Sequence, residues 1–248
     1  MSNIKYILMC ILAICSFNYS QQSKIRVAIF EDIGAGKKGT NNIQLSLYDS
    51  NIYATTVIQA SDIRAGVLKN YDVLVQPGGS GSKQSKSLED SGLDSIRSFV
   101  SRGGGYLGIC AGAYLSTSFY KWSLGILNAI VIDREHWNRG SGDVVLDMTP
   151  TGKEFFGLSS DTVTVQYNQG PLLQNGLSDS VADYTTLARF KTEIAENGAP
   201  KGVMIGTDAI AMGDYKLGRV FSISPHFEKR DEQRFFIRKA VLWLARKK

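Results

Sequence analysis

Cysteine and histidine are the scarcest reactive residues in this sequence. There are three of the first (Cys10, Cys15, Cys110) and two of the second (His136, His226) among 248 residues. That scarcity excludes a zinc ribbon, a zinc finger and a dense disulfide framework, each of which needs ligands or thiols in pairs at regular spacing. A strong charge of one sign is also lacking. Lys+Arg 28 against Asp+Glu 23 leaves +5, too mild to argue for a nucleic-acid partner. No apolar run reaches the roughly 20 residues of a membrane span, and neither a repeat nor a long linker interrupts the chain. What is present is an ordinary globular composition, 43% hydrophobic and 21% charged, at a length that suits one large domain or two small ones.

The first residues differ from the rest. One cation, Lys5, precedes a largely apolar stretch from Tyr6 to Phe17, and polar residues follow from Asn18 to Ser23. This is the pattern of a secretory signal peptide, with residues 1–20 removed after Ser20 and the protein secreted or periplasmic. Lipid attachment at Cys15 fits less well because bulky Ile14 precedes it, and a buried first strand or helix is the competing reading. Removal of this leader takes Cys10, Cys15 and Lys5 with it, leaving Cys110 as the single thiol and lowering the net charge by one.

From Lys24 onward, short β-branched runs alternate with helical patterns. Strands are expected at 25–30, 53–58, 71–76 and 106–109. A polar Ser/Gly/Lys loop follows the third, and then a helix carries Leu93, Ile96, Phe99 and Val100 on one face. The second half reads as richer in strands, at 143–148, 162–167, 184–189, 202–205, 209–215 and 219–224, with a hairpin turn over 214–218. A closing helix places Phe236, Ile237, Ala240, Val241 and Leu244 on one face. Strands alternating with helices predict one α/β domain over 24–248, a mixed, mostly parallel sheet with helices on both faces.

Five residues carry the most chemistry: Gly108, Ile109, Cys110, Ala111 and Gly112. They form the thiol version of the G-x-S-x-G nucleophile elbow, in which a sharp strand-to-helix turn exposes the central side chain. The flanking glycines supply the room such a strained backbone needs. The following helix directs its N-terminus at the sulfur, which favours thiolate, and the Ala111 N–H is free to stabilise an oxyanion. The partner base is His226, just past the 219–224 strand, with Glu228 two residues on to hold the imidazole, giving a Cys-His-Glu triad. Gly78 and Gly79, after the 71–76 strand, lie on the same sheet edge and can complete the oxyanion hole. Taken singly, Cys110 could be a small buried hydrophobe and His226 a hydrogen-bonded loop residue.

Together these residues resemble the class I glutamine amidotransferase-like superfamily, with its Pro-Gly-Gly, its G-x-C-x-G elbow and its late His-x-Glu. More narrowly, the run Gly105 to Tyr114 and the later Tyr167-Asn168-Gln169-Gly170-Pro171 resemble the domain at the N-terminus of fungal-type biotin–protein ligases. The resemblance implies a flavodoxin-like fold, with Cys110, His226 and Glu228 as the triad and Gly78 and Gly79 beside the nucleophile. It also implies that Tyr114, Tyr167, Asn168, Gly170 and Pro171 line the substrate pocket. Two positions depart from the superfamily pattern. Glutamine-hydrolysing members carry Gln where this sequence has Tyr114, and the usual His-Pro-Glu is His226-Phe227-Glu228. The sequence has no Gly-Arg-Gly-Arg-type adenylate loop, so protein biotinylation is not implied.

Other motifs compete less well. Gly34, Gly36 and Gly39 match G-x-G-x-x-G, the dinucleotide fingerprint, but three residues separate them from the strand and two lysines sit inside the turn. The charged aromatic segment 133–139 either caps the Cys110 pocket or forms a solvated hairpin, and His136 has no companion histidine for a metal site. The expectation is therefore an exported cysteine-dependent hydrolase or amidase acting on a small-molecule or peptide amide. No cofactor, metal or nucleic acid takes part, and no membrane span remains after leader removal. The alternative is a catalytically silent small-molecule-binding protein on the same scaffold.

Overall fold

The computed structural model describes residues 23–176 and 178–246. The proposed leader, with Cys10 and Cys15, lies outside them, as do Lys247 and Lys248. Five parallel strands form one half of an 11-stranded sheet. They are β1 (Ile25–Phe30), β2 (Tyr53–Ile58), β3 (Val73–Gln76), β4 (Gly105–Ile109) and β11 (Gly218–Ile223), in the spatial order β2-β1-β3-β4-β11. The sheet continues through antiparallel β10 (Asp208–Tyr215), β9 (Thr185–Phe190), β6 (Ser141–Met148) and β7 (Thr162–Asn168). A short antiparallel pair, β5 (Ala129–Ile132) and β8 (Leu172–Asn175), joins through a single contact with β10.

The parallel strands are apolar throughout because both of their faces are covered. Along β1, Val27 and Ile29 enter one core while Ala28 and Phe30 enter the other. The first core is closed by Ile43 of α1 (Lys37–Ser46) and by the Phe236, Ile237, Ala240, Val241 and Leu244 face of α6 (Phe235–Leu244). The second is closed by Ile63 of α2 (Ala60–Arg64), by Leu88, Leu93, Ile96, Phe99 and Val100 of α3 (Gly81–Ser101), and by Leu115 of α4 (Ala111–Ser116). The period-2 alternation of the strands and the one-sided stripe of α6 are what the sequence predicts for helices on both faces.

Three expectations need correction. The segment 202–205 is a pair of turns, not a strand. Gly202 and Gly206 bracket it with φ of 83° and 80°, left-handed backbone that breaks an extended run. The polar stretch after β3 is helical from Gly81, because its polar side chains are used internally: Gln84 is buried and donates to Gly34 O at 3.1 Å and Pro77 O at 3.0 Å. The helix then bends at Glu89, where φ is 57°. Finally, β5 and β8 were not foreseen. Each has only four residues, too few for a period to register. The sixth α-helix among the described residues, α5 (Pro150–Phe156), starts cleanly at Thr149, whose hydroxyl accepts from Gly152 N at 3.0 Å.

The G-x-G-x-x-G stretch is a packing device. Gly34 O accepts from Ser80 N at 2.8 Å, and a Cβ on Gly79 would stand 1.9 Å from that same oxygen. The loop is pressed on the start of α3 rather than arranged as a phosphate cradle, and Gly36 serves as N-cap of α1.

Candidate active site

Parallel neighbours β3, β4 and β11 end at one edge of the sheet, where open α/β folds place their ligands. Gly78, Cys110 and His226 each follow one of these strand ends. Register carries them together: Gln76 pairs with Gly108, Ile109 pairs with Ile223, and Cys110 N donates to Ile223 O at 2.8 Å. A Cβ built on Gly78 would stand 2.9 Å from His226 Cε1 and 3.6 Å from Cys110 Cβ, so this glycine leaves room for the imidazole beside Cys110.

The elbow is strained as its glycines predict. Cys110 has φ 52° and ψ −100°, a conformation that costs a non-glycine residue about 1–3 kcal/mol. Close backbone approach explains both flanking glycines. A Cβ on Gly108 would lie 2.4 Å from Gly112 O, and one on Gly112 would lie 2.0 Å from Gln76 O. Tyr106 fixes the turn from behind by donating its hydroxyl to Gly112 O at 2.8 Å. Cys110 is 5% exposed and is the free cysteine among the described residues; its thiol donates to Asn168 O at 3.4 Å.

His226 and Glu228 are buried, with Nδ1 and Oε1 2.7 Å apart. With Glu228 accepting from Nδ1–H, Nε2 is left without a hydrogen bond in the protein. Burial disfavours the imidazolium, but the Glu228 carboxylate and the Cys110 sulfur outweigh it and push His226 up to about 10. Phe227, where the superfamily has proline, is fully buried and stacks on Phe236 of α6 at 4.0 Å. It thereby ties the His-Phe-Glu turn to the closing helix, doing by packing what proline does by rigidity.

β7 brings a further wall over this edge. His226 N donates to Gln166 O at 2.8 Å, and Asn168 follows at the strand's end. The resulting cavity of about 660 Å³ is lined by Cys110 and His226, and also by Gly79, Tyr114 and Asn168 among the residues foreseen. Tyr167, Gly170 and Pro171 stand behind the wall instead. Tyr167 is fully buried with its hydroxyl donating to Gly170 O at 2.8 Å, and Gly170 packs so tightly that a Cβ would meet Ser224 O at 2.2 Å. They shape the wall without facing the cavity. Ala111, the first residue of α4, is buried beside Cys110, and Gly78 lies between the sulfur-bearing residue and the imidazole.

Residues 25–138 match the family described as biotin-protein ligase, N terminal. That match takes in Gly78, Gly79 and Cys110, while His226 and Glu228 lie outside it. The family has the class I glutamine amidotransferase-like fold. No curated protein matches the sequence. Among solved structures, a ThuA-like protein from Bacteroides uniformis is 13% identical over 92% of this chain and 94% of its own, with a TM-score of 0.61. A second ThuA-like protein, from Parabacteroides merdae, is 13% identical over 90% of each chain, with a TM-score of 0.57. A β-galactosidase from Bacillus circulans is 12% identical over 87% of this chain, with a TM-score of 0.55; there the chain spans about 30% of the larger protein's length. At these identities the likeness is one of fold.

Several cavity residues carry no motif and leave no trace in the sequence. Lys83 comes from the first turn of α3, in the stretch read as a loop. Tyr120 and Trp122 come from the irregular segment between α4 and β5, their rings stacked at 4.5 Å and 14°. Arg134 and Trp137 do come from the charged aromatic segment expected to cap the pocket. That segment is not a hairpin. It folds around Arg139, 1% exposed, whose Nη2 donates to Asp133; Asp133 also pairs with His136 Nδ1 at 2.5 Å. Gln169 clamps it from β7's end by donating to Asn138 Oδ1. No group of residues suited to a metal ion occurs among the described residues, and no described helix is long and apolar enough to cross a membrane.

Proposed function

We propose that this chain is an exported, thiol-dependent amidase-like hydrolase in which Cys110 is the nucleophile, His226 carries the proton and Glu228 holds the imidazole. The observation that carries the reading is the strained backbone of Cys110 at the end of β4, with Gly78 packed against both it and His226 of the neighbouring strand end. A fold keeps an L-residue in that conformation only where its surroundings over-determine it, and such positions cluster at reactive sites.

The chemistry balances with these groups alone. The Cys110 sulfur, its proton held on Nε2 of the His226 imidazolium, gives its electron pair to the carbonyl carbon; the C–S bond forms as the carbonyl π pair moves to oxygen. The backbone N–H groups of Ala111, Gly78 and Gly79 are the candidates to receive that oxyanion. Collapse of the intermediate breaks the C–N bond, and the proton on Nε2 leaves with the amine. Water then attacks the thioester, giving a proton to Nε2; the C–S bond breaks with its electron pair on sulfur, which restores the starting pair with the imidazolium. Glu228 makes Nε2 a stronger base throughout by stabilising the imidazolium.

One observation favours a second reading, binding without turnover. The thiol donates to Asn168 O, while Nε2 makes no hydrogen bond. Alkylation separates the two. Iodoacetamide at neutral pH should modify Cys110 rapidly, and His226→Ala should slow that modification at least about tenfold. Slow labelling indifferent to His226 supports the silent binder. Export is tested by N-terminal sequencing of the secreted or periplasmic form. A chain that still begins at Met1 there, or that never leaves the cytoplasm, refutes the leader.

A further inference from the structure

The geometry points to a substrate class: an amide whose acyl side carries a flat ring and a negative charge. This inference rests on the thiol-site reading and adds to it what the rest of the cavity selects. At about 660 Å³ the cavity has the size of a site for a ligand of several rings or residues, far larger than a carboxamide group requires.

Its charge is one-sided. Lys83 and Arg134 line it, and no Asp or Glu does. Both cations lack a carboxylate partner among the described residues, although most other arginines of the chain have one. Arg134 instead lies 5.9 Å over the Phe119 ring. Two unneutralised cations on a cleft with low-dielectric walls attract an anion and repel a cation. That distinction matters because the rest of the lining is aromatic. Tyr114, Tyr120, Trp122 and Trp137 together would by themselves suit a quaternary ammonium as well as a flat ring. The cations decide between the two.

The flat surface is already built. Tyr120 and Trp122 are stacked, and Trp122 is seated with its six-membered ring against Gly81, where a Cβ would come within 3.0 Å of it. Trp137 is 55% exposed, a large apolar side chain held in water by a braced segment. Ligand burial of that ring returns hydrophobic free energy that the unliganded protein forgoes.

Three para-substituted benzamides test the class: 4-carboxybenzamide, unsubstituted benzamide and 4-(trimethylammonio)benzamide. Binding is measured by calorimetry to the full chain and to Cys110→Ala, and ammonia release is followed with the unmodified protein. The carboxylate should bind both forms at least about tenfold tighter than the other two probes, and Lys83→Met or Arg134→Met should each erase most of that preference. Equal binding of all three, preference for the trimethylammonium compound, or no binding of the carboxylate at millimolar concentration overturns the inference. Charge-selective binding without ammonia release refutes the hydrolase reading alone, since Cys110→Ala reports the pocket independently of the thiol.

Discussion

Replacing Glu228 by Gln tests the electrostatic core of the site while keeping its shape. The amide preserves the hydrogen bond to Nδ1, 2.7 Å long in the native protein, but removes the charge. A unit charge about 4 Å away at an effective dielectric near 20 is worth roughly 4 kcal/mol, or about three pH units of proton affinity. His226, held up to about 10 against the opposing effect of burial, should therefore fall to about 7. Proton-detected NMR titration of the histidine ring signals reads this directly. Stability must follow with a definite sign. The folded value of His226 lies above its unfolded value near 6.5, so its stabilisation is fully present below pH 6.5 and disappears as pH rises towards 10. The native protein should lose up to about 1.4 kcal/mol per pH unit across that window in urea unfolding, and at most about 5 kcal/mol in all. In Glu228→Gln the slope should flatten and the native protein's excess stability at neutral pH should shrink. A native His226 that titrates near 6.5, or a variant that still titrates near 10, refutes the reasoning.

Two substitutions address the scaffold. Gly112→Ala places a Cβ 2.0 Å from Gln76 O, backbone that cannot turn aside. It should cost about 3 kcal/mol and lower Tm by roughly 6–12 °C, while a change below 2 °C by calorimetry would show that α4 moves freely against β3. Arg139→Met leaves Asp133, whose side chain is 11% exposed, with His136 as its sole remaining charged partner. Destabilisation of about 2–3 kcal/mol should follow, with faster tryptic cleavage after Arg134; an unchanged cleavage rate would mean that Arg139 does not brace the segment carrying Arg134 and Trp137.

What the sequence made legible follows a physical divide. Strands β1 and β2 were bounded to the residue, because both are short apolar or β-branched runs set off by turn-forming neighbours. The sharp turn of the elbow is legible for a similar reason: close backbone approach at Gly108 and Gly112 leaves a local trace, since any side chain there would collide. Residues whose roles depend on distant partners left none. Gln84 looks like loop chemistry until Gly34 and Pro77 are beside it. Tyr167 looked like pocket lining, and its burial against Gly170 is set by how β7 curls over the site. Tyr120 and Trp122 sit in irregular chain, where no period exists to mark them, and Lys83 was hidden by a helix start made almost wholly of serine, glycine and lysine.

Tyr114 shows how one departure from a family pattern can turn a site toward a different ligand. It follows Cys110 by four residues, on the first turn of α4, so its ring is fixed beside Cys110 by the same strained turn that presents the sulfur. Glutamine-hydrolysing relatives in the superfamily place an amide side chain at that position, and an amide there can satisfy the polar groups of a small, hydrogen-bonding substrate. A phenol cannot do the same. Its ring is largely buried, and that burial holds its hydroxyl well above the ordinary range, so it stays neutral and presents mostly apolar surface. It also tilts toward Tyr120, at 6.2 Å and 55°, joining the nucleophile's own helix to the aromatic wall formed with Trp122. The residue that argues against glutamine is thus the one that makes the thiol continuous with a flat apolar surface. With Lys83 and Arg134 lining the same cavity, Tyr114 extends the flat surface on which the proposed anionic, ring-bearing substrate would lie.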